Sequence, residues 1–426
     1  MFKSGGLIVE GKTKKILEIR DIGGGPDLCI VESKDDITAG DGAKHDIIQD
    51  KALLANATTC NVFRLLKACG IPVAFVEQQG PARFVAHRCE MIPLEVVCRR
   101  EAHGSFLKRK TLLEKGTLFP RIVFELFLKT TGQKFCGSDL PWDDPLIGRI
   151  SGNRGFLLFD PKSPNTPEPL SVTAVDVGPG FHKLEEIEVI TRKVFLILEK
   201  AWQLLGRRLV DFKLEFGFDS EGTLLLSDVV DNDSWRVMEG TMHLDKQAYR
   251  DGEQLDTIID RYHLVAELTG RFGIPSQQVI LWTGSEKDDR APFETAFKPF
   301  MNVAKMPFVV CSMHKEPERG IRELRKLVQE VPDSVVVVYV GRSNGAGPTL
   351  SAHTHIPVIT VPAGIKSTPY DVWSSLRTPS DTPCITVLEP ANAMLAVLQI
   401  LAMRNPAIYA ELRYRQEQRF VNTVSL

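Results

Sequence analysis

The sequence predicts an α+β domain followed by an α/β domain on a doubly wound parallel sheet. Three observations carry this. The chain has 426 residues, and a domain takes about 100–200, so two or three are expected. Before residue 275 the strand-like segments are short, come in runs and are separated by Gly-rich turns. After it, hydrophobic strands alternate with amphipathic helical segments, the pattern of a parallel sheet.

The elements come in this order. Leu7-Ile8-Val9, Lys15–Ile19 and Leu28–Val31 read as strands, with the turn Gly23-Gly24-Gly25-Pro26 between the last two. Lys51 to Cys69 reads as a helix, apolar at 53, 54, 57, 62, 65 and 66 and stopped by Gly70. Strand-like segments run from Ile71 to Arg99. Residues 145–170, rich in Gly, Pro, Ser and Asn, read as a surface insertion. Ile187 to Leu205 is a second helix, Val210–Phe218 and Thr223–Val230 a hairpin, and 251–272 a polar helix. A break at Phe272-Gly273-Ile274-Pro275-Ser276 closes the first half. Strands at Val279–Trp282, Phe308–Cys311, Val335–Val340 and Val358–Val361 make up the second. The expected boundaries are 1–264, a linker at 265–277, and 278–426.

Composition narrows the function class. Hydrophobic residues are 43% and charged residues 25%, enough for full cores. The 52 basic and 54 acidic residues nearly cancel, and no basic stripe is interleaved with aromatics, which argues against a nucleic-acid partner. Arg413, Arg415 and Arg419 are interspersed with Glu411 and Glu417, which reads as a solvated helix face. The N-terminus has no signal-peptide core, and the longest apolar runs are far too short to cross a bilayer, so no membrane role is expected. Eight cysteines lie mostly in apolar runs without a C-x-x-C pair. They read as reduced core residues of a cytoplasmic protein.

Gly6-Leu7-Ile8-Val9-Glu10-Gly11-Lys12-Thr13 matches the Walker A spacing. Its context is wrong, because strand formers fill the stretch that must be a flexible phosphate loop. A strand and turn placing Lys12 and Lys14 near a nucleotide phosphate fits better; an exposed hairpin with solvated lysines is the plain alternative. In the 210–230 hairpin, Phe212, Leu214 and Phe216 alternate with Lys213 and Glu215. A four-residue turn at 219–222 would set Lys213 opposite Asp228 and Glu215 opposite Leu226. Lys213, Glu215 and Asp228 then share one face. Two carboxylates with phosphate oxygens suit Mg²⁺, whereas a Lys213–Asp228 surface ion pair is the ordinary reading. Asp231-Asn232-Asp233-Ser234-Trp235-Arg236 comes next, dense in acceptors. Arg99 to Arg109 sets basic groups around Gly104-Ser105, suited to an anionic phosphate.

In the second half, polar clusters lie just past three strands: Gly284-Ser285, Ser312-Met313-His314-Lys315 and Gly341-Arg342-Ser343-Asn344-Gly345. Ligands of doubly wound sheets bind at the strands' carboxyl ends. Gly284 and Ser285 suit a phosphate, and His314 a proton shuttle. His353-Thr354-His355 has metal-ligand spacing, but no third ligand is evident and a non-metal role is favoured.

These strings carry two resemblances. Glu10–Lys14, Asp36–Gly40, Cys89–Arg109, Asp211–Gly217, Ser227–Arg236 and Asp245–Asp251 resemble SAICAR synthetase, over roughly 7–260. That family implies a two-lobed α+β ATP-binding fold and ATP-driven ligation of L-aspartate to the carboxylate of CAIR. It implies Lys12, Lys14, Lys213 and Glu215 at ATP, Glu215 and Asp228 on Mg²⁺, and Arg99, Ser105, Arg236 and Lys246 at the substrate. Lys129 is followed by Thr130-Thr131 where the family has Lys-Asp/Asn-Asp, a departure at one pocket edge. The second half resembles AIR carboxylase of the CO₂-using type through Thr283-Gly284-Ser285…Asp288, Ser312…His314-Lys315, Gly341–Pro348 and Asp371–Arg377, over roughly 278–400. That implies a flavodoxin-like fold carboxylating AIR to CAIR without ATP or biotin. Ser312, His314 and Lys315 would be catalytic, Gly284, Ser285, Asp288 and Arg342 would bind substrate, and Ser343 with Asn344 would line the CO₂ pocket. Glu286, Lys287, Met313, and His353 in Ala352-His353-Thr354 depart from the family. The resulting expectation is a bifunctional purine-synthesis enzyme, a homo-oligomer through its C-terminal domain. The alternative is a ligase whose second half only oligomerises.

Overall fold

The computed structural model describes residues 2–20, 27–39, 44–130, 132–135, 138–149, 155–163, 170–173, 180–341, 343 and 345–420. Its contacts form two units, Met1–Gly273 with Arg413–Leu426, and Ile274–Leu412.

In the first unit the short N-terminal segments form a five-stranded antiparallel sheet. Lys3–Glu10, Lys14–Arg20, Leu28–Ser33, Arg83–His87 and Phe75–Gln78 lie side by side in that order. Gly6 to Glu10 lies within the first strand, so the Walker-like spacing encloses no phosphate loop. The apolar stripe of the helix Lys51–Ala68 packs on this sheet, with Phe63 5.8 Å from Phe75 and 6.3 Å from Phe84 between ring centroids. The helix Leu255–Thr269 lies along it, so residues 265–269 of the expected linker are helical.

A larger antiparallel sheet is built around the long strand Arg208–Phe218. Its first half pairs with Leu94–Glu101 and Trp235–Glu239, its second half with Leu224–Ser227 and Glu90–Met91. The alternation read from the sequence holds: Phe212, Leu214 and Phe216 are buried and Lys213 is exposed. The helix Leu184–Leu204 covers the buried face, with Phe195 and Phe212 at 5.1 Å. Ala74 N–H to Leu226 O (2.8 Å) and Leu226 N–H to Pro72 O (2.9 Å) join the large sheet to the end of the small one.

The structure refines one sequence reading and corrects another. The 145–170 stretch, read as a surface insertion, carries strands. Leu146–Arg149, Gly155–Phe159 and Leu170–Thr173 are strands that extend the large sheet beyond Leu118–Leu128; 150–154 and 164–169 lie outside the described residues. The hairpin loop is one residue longer than a four-residue turn. The Asp219 carboxylate accepts the N–H groups of Glu221 and Thr223 at 3.0 and 2.8 Å, closing a five-residue loop. Glu215 therefore faces Ser227, Phe218 faces Leu224, and Lys213 does not oppose Asp228. A one-residue slip of this kind moves a side chain to the other face.

The second unit is a five-stranded, fully parallel sheet. By order along the chain, Gln278–Thr283, Phe308–Val310, Ser334–Val340, Val358–Pro362 and Ile385–Thr386 are strands 1 to 5, and their spatial order is 2-1-3-4-5. That is the flavodoxin-like order, with its switch point beside strand 1. The runs Val335–Val340 and Val358–Val361 are apolar but for the buried Thr360, because helices cover both faces of such a sheet. The fifth strand, two residues long, escapes the sequence reading. Among the described residues no helix is long and apolar enough to cross a membrane.

Candidate active sites

In the first unit the charged residues singled out from the sequence gather on one surface. Lys14 opens the second strand, and its ammonium contacts the carboxylate of Asp228. Asp228 leaves the hairpin with φ of +63°, a conformation that Asp tolerates better than bulkier residues. Glu215, opposite the residue before Asp228, accepts Lys129 Nζ at 2.7 Å. Lys213 donates to Glu95 at 3.0 Å. Burial lowers the pKa of Lys14 to about 8, although a quarter of its side chain remains accessible. Glu215 opposes that shift, Lys129 adds to it, Asp231 opposes it and Lys213 adds to it. Lys12 sits exposed on the turn before Lys14. Partly exposed pairs such as Lys129–Glu215 are worth under about 1 kcal/mol. They can open for an anion or a cation at little cost.

The phosphate-suited residues lie along a buried row of charges. Arg109 meets Glu125, Glu125 holds Arg99 Nε at 2.7 Å, Asp211 holds Arg99 Nη1 at 2.7 Å, and Asp211 also takes Arg236 Nη1 at 2.6 Å. The side chain of Arg99 is 6% exposed. Burial works against its charge, but Glu125 and Asp211 outweigh it and hold its pKa above the ordinary value. Breaking a buried pair of this kind costs about 3–5 kcal/mol. Arg99 therefore orients its neighbours from below, whereas Arg236 is the more accessible end. Gly104 has φ of +60°, where a side chain is strained, and a Cβ there would displace the Arg236 guanidinium. The guanidinium thus lies against the turn that presents the exposed Ser105. Lys246 is buried and donates to Asp233 at 2.9 Å; Tyr262 donates to the same carboxylate at 2.8 Å. Burial raises the pKa of Asp231 and would raise that of Asp233. In Asp233 it is outweighed by Lys51 and Lys246, so that carboxyl stays low.

In the second unit the three strand-end clusters meet around a cavity of about 270 Å³. Gly284, Ser285, Asp288, Ser312, His314, Gly341 and Ser343 line it, beside the switch point. The Gly284 and Ser285 N–H groups both point at Asp288 Oδ2, at 3.0 and 2.9 Å, so this loop presents its amides to an anionic oxygen. The His314 imidazole lies over Gly345, where a Cβ would come within 2.8 Å of Nε2. Only glycine leaves that ring its place. Ser343 has φ of +50°; Arg342 and Asn344 lie outside the described residues. Lys315 is exposed and stands in the turn closed by its N–H to Ser312 O at 3.0 Å.

Comparison with known proteins is direct. The SAICAR synthetase family model matches residues 7–136 and 171–266, and the AIR carboxylase family model matches 278–420. The human bifunctional phosphoribosylaminoimidazole carboxylase/phosphoribosylaminoimidazole succinocarboxamide synthetase is 35% identical over 427 residues, 96% of this chain and 93% of that protein. Its Drosophila melanogaster counterpart is 34% identical over 99% of this chain and 94% of that protein. The chain belongs to the bifunctional AIR carboxylase/SAICAR synthetase family. A Chloroflexus aurantiacus phosphoribosylaminoimidazole-succinocarboxamide synthase is 40% identical over 64% of this chain and 99% of its own length. Both activities have their domain here, an ATP-using ligase and a lyase of purine biosynthesis. This favours the two-activity reading over a ligase with an inert second half.

Against this family the departures take specific places. Met313 lines the cavity beside His314 and turns its sulfur into the core, over Gly320 beside Trp282. Glu286 and Lys287 are exposed, with Lys287 N–H at 3.2 Å from Ser285 Oγ. One ring nitrogen of His353 meets the carbonyl of Thr349 at 2.8 Å, a helix contact. The 137–170 interval between the matched stretches contains the first two of the three strands that extend the large sheet. Sequence reasoning assigns no role to Lys129, Glu95 or Lys51. Lys129 is legible as the lysine opening a family stretch, whereas Glu95 and Lys51 become visible only through pairing across strands.

Proposed function

We propose that the first unit ligates L-aspartate to the carboxylate of CAIR, with Lys12, Lys14 and Lys213 binding the phosphates of ATP. The clustering of Lys14, Lys129, Lys213, Glu215 and Asp228 on one surface carries this reading. Glu215 and Asp228 would supply the hard oxygen donors that Mg²⁺ takes alongside phosphate oxygens, and a bound ion would neutralise phosphate charge there. No trio of metal-ligating side chains exists among the described residues, and a nucleotide-borne Mg²⁺ requires none. Arg236, Ser105 and Lys246 hold CAIR, with Arg99 fixing Arg236 through Asp211. The lysines orient the γ-phosphoryl group toward the CAIR carboxylate. Its transfer releases ADP and gives an acyl phosphate, and the aspartate amine then displaces phosphate to form the amide.

The second unit converts AIR and CO₂ to CAIR. Gly284 and Ser285 amides bind the substrate phosphate, and Asp288 and Arg342 complete the proposed substrate-binding set. His314 removes the proton from the carbon that gains CO₂, aided by Ser312 and Lys315, and Ser343 with Asn344 lines the CO₂ pocket. The product of the second site is the substrate of the first. The second unit exposes Tyr370 (84%), Trp373 (55%), Leu376, Ile385 and Leu388 around its short edge strand. Such a patch supports a homo-oligomer built on this half. The cytoplasm suits the described cysteines, all free thiols; burial pushes Cys98 up to about 12. We propose 1–264 and 278–426 as the two catalytic halves in sequence, with residues 413–417 returning to pack within the first unit.

Product analysis by mass spectrometry tests the whole reading. Protein given AIR, bicarbonate, aspartate and Mg-ATP is expected to yield SAICAR well above a no-enzyme control. Persistence of AIR while added CAIR is consumed would leave the ligase and remove the carboxylase.

A further inference from the structure

The Arg/Glu-rich end of the chain reads from sequence as a solvated helix face. Arg415 and Arg419 are exposed as that reading expects, but Glu417 is 2% exposed and is bound on both oxygens within the first unit. The reason lies in the strand Leu118–Leu128. Leu118 pairs with Glu101 but Val123 pairs with Arg99, so residues 119–122 bulge out of the ladder. Their backbone groups must find other partners. Side chains supply them. Arg100 Nη1 donates to Phe119 O at 2.9 Å, Arg413 Nη2 to Pro120 O at 3.0 Å and Arg192 Nη1 to Ile122 O at 2.6 Å. Glu417 Oε2 accepts the Ile122 N–H at 2.9 Å, while its Oε1 takes Arg100 Nη2 at 2.6 Å and Arg413 Nε at 2.9 Å. Arg100 is also held by Glu199 at 2.6 Å. Two of the four side chains that pin this bulge thus come from residues 413 and 417, nearly three hundred positions downstream.

The bulge aims the strand residues beyond it. Three residues past Ile122 stands Glu125, whose carboxylate holds both Arg99 and Arg109. Arg99 in turn shares Asp211 with Arg236. We propose that Glu417 is a positioning residue for the ligase: by pinning the 119–122 bulge it sets Glu125, and through Glu125 the Arg99–Asp211–Arg236 row that meets CAIR. This rests on the reading that Arg236 contacts CAIR, and the test separates the two.

The measurement is steady-state kinetics on the full-length protein. Glu417→Ala is expected to raise KM for CAIR about tenfold while KM for ATP and the AIR carboxylation rate stay within about twofold. Glu417→Gln keeps an acceptor for Ile122 N–H but not the charge facing Arg100 and Arg413, so it falls between. Hydrogen exchange over 118–128 rises in Glu417→Ala. An unchanged KM for CAIR overturns the proposal, and so does an equal loss in all three parameters, which marks general destabilisation. If Glu417→Ala does not fold, Glu417→Gln and Arg413→Ala decide by the same split. Arg236→Ala is the control. If it leaves KM for CAIR unmoved, the site reading is at fault; if it moves KM while Glu417→Ala does not, the long-range link is.

Discussion

The two units build their sites by opposite routes. In the second, every site residue sits one to five positions beyond the end of a parallel strand, and the 2-1-3-4-5 order brings three such ends to one cavity. Each piece of chemistry is local in sequence, and the sheet only collects the pieces. In the first unit the site is made across antiparallel strands from distant parts of the chain. Lys14 meets Asp228, Arg99 meets Asp211, and Lys129 meets Glu215. The second site depends on loop geometry, the first on register and on chains of paired charges.

That contrast predicts how each site fails. The largest effect is expected at the second. His314→Asn keeps the ring's approximate volume over Gly345 but removes the proton carrier. It should lower AIR carboxylation about 10²–10⁴-fold and leave ligation of added CAIR at its wild-type rate. A parallel fall in both rates would break the picture of two independent sites. The next effect is on the first site. Asp228→Asn removes a charge from Lys14 and from the Mg²⁺ position, and should lower ligase kcat/KM for ATP about 10²-fold with AIR carboxylation untouched. A wild-type rate from Asp228→Asn would return Asp228 to the role of a mere ion-pair partner.

The same contrast explains how much is legible in the sequence. In the second half four of the five strands fall where apolar runs place them, and the fifth, Ile385–Thr386, is too short to leave a signal. Strand-end clusters can be read because strand and loop alternate visibly. In the first half the strands and helices are readable but the pairings are not. A five-residue loop at 219–223 in place of four moves Asp228 away from Lys213 and toward Lys14, which lies about two hundred positions upstream. Glu417 is misread from sequence for a related reason. Composition alone makes Arg and Glu at helical spacing look solvated, and nothing local announces that a bulge at 119–122 needs a carboxylate. Likewise the glycine- and proline-rich 145–170 stretch conceals strands that only their neighbours define.

The smallest predicted effect probes the charge chain of the first site through pH. Lys14 keeps its proton only up to about pH 8 in the folded protein, because burial works against the ammonium more than Glu215 supports it. If that ammonium binds ATP phosphates, kcat/KM for ATP falls about tenfold per pH unit above 8, since this parameter reports free-enzyme ionisation. Stability moves the other way. The folded pKa lies below the unfolded value, so the unfolded chain binds more protons between about 8 and the ordinary lysine value near 10.5. The Lys14 contribution therefore becomes more favourable as pH rises through that window. A rising thermal midpoint with falling ligase kcat/KM is an unusual pair, which ordinary alkaline unfolding would not produce. Lys14→Arg should abolish both trends, because a guanidinium stays charged throughout. AIR carboxylation should show neither. If the variant retains the limb at pH 8, the titrating group is another residue and Lys14 is a structural partner of Asp228 alone.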